Sequence, residues 1–331
     1  MGTIDTETRD FIRRRDIFAD LFNQTVFGRR HLIHPEQLRE LDTHLEMVRG
    51  DGTGSRGKGD SSVAKQRDLI KRAVAFSDGK RFLVILGVEN QKEIDYSMPV
   101  RVMLYDSMQY HRQILNLKER HRIRKDTPEN SAEFLSGFYK NDRLLPVITL
   151  VVYWGMDGWP WPHCLKDILD DMPEEVRTMV QDYRLNVVSP MEMSEEQLSG
   201  FETDLRQVFT ALRYSKDKEL FRKKVAEDGG FSCLDPDTAR LINHLTDAGV
   251  RIDAQKEKVN MCQAMQELIE EGREEGREEG REEGRKEGED LMAALVRVLM
   301  RDQRMSDLTR ALEDADYRRR LLRECGLLQT V

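Results

Sequence analysis

Apolar residues recur at helical spacing from Thr8 to about Phe27 (Phe11, Ile12, Phe18, Ala19, Phe22 and Val26), which predicts a helix there. Residues 36–47 continue in helical or mixed character, and GDGTGSRGKGDSS at 50–62 is loop chemistry throughout. In 65–91, two apolar stretches flank Asp78-Gly79, the strongest short-range signal of a β-hairpin. Met98 to Leu117 reads as a long amphipathic helix through Val102, Tyr105, Met108 and Ile114. LLPVITLVVYWG at 144–155 is a buried strand by its β-branched content, and NVVSP at 186–190 is a shorter one. Helix returns over 194–227, and a further helical region begins at Asp235. This order of elements predicts a mixed α/β domain over 1–225 and a helical connector over 226–265. A charged helix over 266–290 and a helical segment over 291–331 then make a charged C-terminal extension.

The extension carries EEGR four times in tandem from Glu270 to Arg285. Each repeat places a Glu three residues before an Arg, such as Glu270 and Arg273, and such pairs stabilise a helix by about 0.2–0.5 kcal/mol. Gly272, Gly276, Gly280, Gly284 and Gly288 oppose this at roughly 1 kcal/mol each relative to Ala. A solvated spacer helix is the plain reading. The other is a homo-oligomer, in which the glycine stripe lets two helices approach closely.

Charged residues are 34% of the 331, above the usual quarter, which fits a solvated element of that kind. The net charge of −8 argues against a histone-like binder. The charge is uneven, however. Residues 1–125 carry 24 Lys and Arg against 18 Asp and Glu, and the remainder carries 29 against 43. A polyanion partner is therefore sought in the first half. There the basic residues Arg112, Lys118, Arg120, Arg122, Arg124 and Lys125 crowd together with His111 and His121, as a DNA-phosphate surface or as the basic face of a solvated helix. No apolar run approaches a membrane span, and the N-terminus has no apolar signal region, so no membrane is expected. Four well-separated cysteines without a paired motif argue against structural zinc or a disulfide framework, and make a reducing cytoplasm the expected setting.

Two decoys fall away on their chemistry. GTGSRGKG at 52–59 lacks the hydroxyl residue and the preceding strand that a nucleotide-binding loop needs. Trp154, Trp159 and Trp161 read as core around a Pro/Gly-rich turn rather than as a base-stacking platform.

The hairpin concentrates the candidate chemistry. With Asp78-Gly79 as a two-residue loop, Ser77 faces Lys80 and Asp68 faces Glu89, on one sheet face. Gln91 shares that face, two residues on. Adjacent carboxylates repel unless a proton or cation relieves them, and oxygen ligands suit Mg²⁺. The peptide carbonyl of Asn90 offers another ligand. Two readings stand on spacing alone: a metal site, or two acids on a solvated strand face. A bulge at Gly87 would turn Glu89 to the other side.

Asp68 followed by Glu89-Asn90-Gln91 resembles the PD-(D/E)XK nuclease core, with Gln in place of the final Lys. With FADLFNQTVFG, QRDLIKRAV, FLVILGVENQ, YSMPVRVMLYDSMQY and LLPVITLVVYWG, the chain resembles the Rpn family of recombination-promoting nucleases, the YhgA-like transposase group, over roughly residues 10–215. The resemblance implies a restriction-endonuclease-like core, a mixed sheet flanked by helices. It implies a Mg²⁺-dependent (or Mn²⁺-dependent) DNA endonuclease acting in recombination or transposon-like movement. Asp68 and Glu89 would bind the metal, Gln91 would place the attacking water, and Asp20 in the first helix would assist. The DNA contacts would come from Arg67 and Lys71 together with the 112–125 basic cluster. Gln91 neither supplies positive charge nor takes a proton, so a weak or inactive nuclease-fold protein, acting as a DNA-binding or assembly module, is the alternative.

Overall fold

The computed structural model describes residues 3–47, 63–66, 68–77, 80–253 and 257–328. They fall into two compact units, Met1–Ala264 and Met265–Val331.

The first unit is built on a five-stranded mixed sheet. Its strands are β1 (Arg39–Glu40), β4 (Leu69–Ser77), β5 (Lys80–Gln91), β6 (Val147–Tyr153) and β7 (Asn186–Val188), in the order β1-β4-β5-β6-β7. A separate ribbon pairs β2 (His44–Met47) with β3 (Val63–Gln66). β1, β4 and β5 are antiparallel neighbours, whereas β5, β6 and β7 run parallel. The β4–β5 register pairs Ser77 with Lys80 and Leu69 with Val88, the pairing that a two-residue loop at 78–79 dictates. The loop itself, like the 50–62 segment and Arg67, lies outside the described residues. No bulge interrupts the ladder at Gly87, which pairs with Ile70.

Helices cover both sheet faces, as a parallel pair requires. On one face lies α3 (Met98–Arg124), whose Met98 and Val102 pack with Val151, Tyr153 and Trp159. On the other face are α1 (Thr3–Arg13), α2 (Arg15–Thr25) and α7 (Leu205–Tyr214). There Val84, Leu86, Val88, Leu150 and Val152 are buried beneath residues such as Phe18, Phe22 and Phe209. The single helix expected over 8–27 is therefore two. Arg14 is extended (φ −53°, ψ 135°) and sends its guanidinium to Asp16 and Asp235, with Asp204 near. Tertiary ion pairs set that break, and helical periodicity carries no trace of them. The 36–47 stretch is a 3-10 turn followed by β1 and β2, not helix.

Short helices α4 (Ser131–Ser136), α5 (Glu174–Met179) and α6 (Glu195–Ser199) link these elements. Beyond α8 (Lys218–Glu227), α9 (Pro236–Thr246) packs against α1 and α7. The 226–264 stretch lies within the first unit.

In the second unit, α10 (Met261–Arg301), α11 (Met305–Glu313) and α12 (Ala315–Glu324) close around Leu295, Leu299, Ala311, Leu321 and Leu322. The EEGR segment is continuous, exposed helix, and a Cβ at any of its five glycines would meet nothing within 4 Å. Among the described residues, no helix is long and apolar enough to cross a membrane.

Candidate functional site

The site forms where β5 outruns β4. Alternation along β5 and its register with β6 place Gly87, Glu89 and Gln91 on the α3 face, opposite Thr149, Val151 and Tyr153. Glu89 is 0% exposed. Its Oε2 accepts from the Arg101 guanidinium at 3.3 Å, on the first turn of α3. The Gln91 carbonyl accepts from Trp154 N–H, so Gln91 turns its backbone groups towards β6. Asn90, one residue earlier, turns its own towards β4, and its N–H donates to Asp68 Oδ2 at 2.8 Å. Asp68 therefore sits beside the peptide that follows Glu89, at the next step of the β4–β5 register. The Asn90 side chain lies on the opposite face, accepting from Trp154 Nε1 at 3.0 Å. Only its peptide carbonyl belongs to the site.

Burial pushes the Asp68 carboxyl above the usual range, against the pull of the Asn90 N–H and of Arg101 and Arg9. Asp5 adds to the upward push. One or two oxygen-donor carboxylates are what Mg²⁺ commonly takes from a protein, the rest of its shell being water and substrate. The donor set fits a hard divalent ion on that ground. Among the described residues no cluster of three or more His, Cys, Asp or Glu assembles, so Asp68 and Glu89 are the carboxylates that would hold the ion.

Arg101 is the participant that sequence reasoning missed. It also reaches Asp95 at 3.4 Å and the Tyr105 hydroxyl at 3.4 Å. One arginine thus spans the acids of β5 and of the turn before α3. The only sequence trace was its place early in a helix that follows an acid-bearing strand.

Asp20 is not brought to this pair. It is buried midway along α2, where Oδ2 accepts from Glu202 N–H, Thr203 N–H and the Thr203 hydroxyl. Its role is to hold the 202–203 turn against α2. Asp5 on α1 is an acid of the N-terminal helices whose charge helps to raise the Asp68 carboxyl. Hydrogen bonds to a charged group are worth roughly 1.5–3 kcal/mol each, and here several share one carboxylate. Asp20→Ala is expected to lower stability by about 2–3 kcal/mol in urea denaturation, and Asp20→Asn by less.

Lys71 is likewise corrected. It pairs with Leu86 on the α2 face, is 1% exposed, donates to the Arg13 carbonyl at 2.5 Å and lies over the Phe18 ring. Burial pulls its pKa down. No DNA phosphate reaches it there.

The basic stretch of α3 divides. Arg112 lies beside Asp42, and Arg122 is held by Glu119 through two hydrogen bonds. Lys118, Arg120, Arg124 and Lys125 are exposed. His121 is not a phosphate ligand. It is clasped by Asp126 at 2.7 Å and Asp142 at 2.9 Å, and it stacks on Tyr139 with centroids 3.9 Å apart. Asp126 first, and then Asp142, raise the imidazole above its ordinary 6.5. A raised folded-state pKa gives stability that is complete below that ordinary value and lost as pH rises through the higher one. The thermal midpoint is therefore expected to fall through that window in the native chain, and to lose this step in His121→Gln.

No curated protein and no solved structure matches the chain. The matched family segment begins two residues after Asp68 and takes in Glu89, Gln91, Arg101, β6, β7 and α7. A family described as "Putative transposase, YhgA-like" matches residues 70–226 of the chain.

Proposed function

We propose that the chain is a metal-dependent DNA endonuclease that hydrolyses phosphodiester bonds, working in recombination or transposon-like movement of DNA. The match of residues 70–226 to the YhgA-like family supports a transposase-like or nuclease role. The observation that carries the finer reading is the Asp68 carboxylate bonded to the Asn90 peptide beside the fully buried Glu89.

In this reading Asp68 and Glu89, with the Asn90 carbonyl, hold a divalent ion (Mg²⁺, or Mn²⁺ in its place). Such an ion supplies Lewis acidity, acidifying water and offsetting charge on phosphoryl oxygens. Gln91, half-buried on the same face, orients water through its amide oxygen and neither adds charge nor removes a proton. Arg101 holds Glu89 in place while its second nitrogen is held by Asp95. Exposed arginines and lysines of α3 meet the DNA backbone.

Gln91 and the Arg101–Glu89 pair favour a second reading, a nuclease fold that binds DNA without cutting it. Purified protein incubated with supercoiled plasmid separates the two. The first reading expects nicking with Mg²⁺ or Mn²⁺, lost with EDTA and in Asp68→Ala and Glu89→Ala. Salt-sensitive binding without nicking in any divalent ion supports the second. Equal cleavage by all three proteins points to a contaminant and removes the first.

A further inference from the structure

Four arginines converge away from the carboxylates, in a cleft of about 410 Å³ on the α3 face of the sheet. Arg72 comes from β4, Arg112 and Arg120 from α3, and Arg143 from the segment leading into β6. Leucine and isoleucine side chains, Leu83 and Ile85 among them, share the lining with the amides Gln109, Gln113 and Asn116, and no carboxylate lines it. Of the nearby acids, Asp142 is bound by His121, whereas Asp42 lies 3.8 Å from Arg112 and offsets part of that one charge. Gln113 ties the arginine-bearing segment to α3, accepting from Leu145 N–H at 2.7 Å and donating to its carbonyl at 3.2 Å.

Gln109 also lines the cleft. It is 2% exposed, and its Nε2 has no hydrogen-bond acceptor among the described residues. A buried donor left unmade costs roughly 1–3 kcal/mol, and four guanidinium groups around one space repel one another. Both costs are relieved by an oxyanion with several acceptor oxygens. Guanidinium forks match phosphate in geometry as well as charge.

We propose that this cleft is a phosphate site that seats a backbone phosphate of the DNA, an assignment that rests on the nuclease reading. Ile85 lies on its wall and Glu89 four residues further along β5, a separation of about 13 Å. That is roughly four base-pair rises of duplex. The site grips the strand a few nucleotides from the carboxylates and sets which phosphodiester reaches them.

The test measures binding of a fluorescein-labelled duplex to the full chain in EDTA, across a salt series. Arg72 and Arg143 are exposed residues, so replacing both leaves the fold intact. Arg72→Gln/Arg143→Gln should weaken binding about tenfold or more and reduce the slope of log K against log salt by about one. The double Lys variant should recover the slope, and Arg222→Gln on α8 should leave it unchanged. Gln109→Leu should weaken binding without altering the slope, because the lost donor is neutral. A second arm titrates inorganic phosphate and deoxyadenosine monophosphate. Binding of these that is lost in the double Gln variant, with the duplex slope unchanged, assigns the same pocket to a free nucleotide. No change in either arm overturns the phosphate site. Cutting is not measured, so a chain that fails to nick plasmid but shows the slope change loses the nuclease reading and keeps the pocket.

Discussion

Glu89→Gln is expected to leave a folded chain that still binds duplex DNA but nicks plasmid at least about 100-fold more slowly. The substitution is nearly isosteric and keeps an acceptor oxygen for Arg101, which lies 3.3 Å from Glu89 Oε2. What it removes is the negative charge, and a neutral amide is a poor ligand for a hard divalent ion. Losing a partner one shell beyond a metal's ligands costs 10–100-fold, so loss of one of the two carboxylates that hold the ion should cost at least the upper value. DNA affinity in EDTA is the control, because the arginines of α3 and β4 act independently of the ion. Unchanged nicking in Glu89→Gln would remove Glu89 from the chemistry.

The second large effect belongs to Arg101. Arg101→Met is expected to destabilise the first unit by about 2–3 kcal/mol at neutral pH. Breaking a buried ion pair by deleting one partner costs roughly 3–5 kcal/mol, because the surviving charge stays out of water. Glu89 is fully buried, whereas about a third of the Arg101 side chain is solvent-exposed, which places the loss below the full range. Asp95 loses its guanidinium contact as well. Trp154, Trp159 and Trp161 all lie in the first unit, so tryptophan emission during urea unfolding reads this loss directly. Millimolar Mg²⁺ should recover part of it, since an ion bound only by the folded state stabilises by mass action. An unchanged urea midpoint would mean that Arg101 carries no share of the Glu89 charge.

The hairpin was readable because its register is local. Asp78-Gly79 fixes which residues face one another, and period-two alternation then decides which side each takes. β6 was readable for a related reason: a run of β-branched residues is what a strand buried on both faces demands. Side chains whose roles depend on distant packing were not. Lys71 sits in an alternating strand beside other charged residues, and only the docking of α2 on that face makes it a buried lysine. Asp20 looks like a helix acid free for chemistry until the 202–203 turn closes over it. The break at Arg14 is set by Asp204 and Asp235, nearly two hundred residues or more along the chain. Arg101 and the arginine cleft arise from how α3 lies across β4 and β5, a relation that no spacing within α3 records. The PD-(D/E)XK likeness led to Asp68 and Glu89 because two strands carry that motif.

The most direct measurement is anomalous diffraction from crystals of the full chain soaked in Mn²⁺. A single strong peak is expected about 2.1–2.3 Å from one oxygen each of Asp68 and Glu89, with Arg101 drawn towards Asp95. Crystals that bind no ion there at millimolar Mn²⁺, with Arg101 still seated on Glu89, would contradict it.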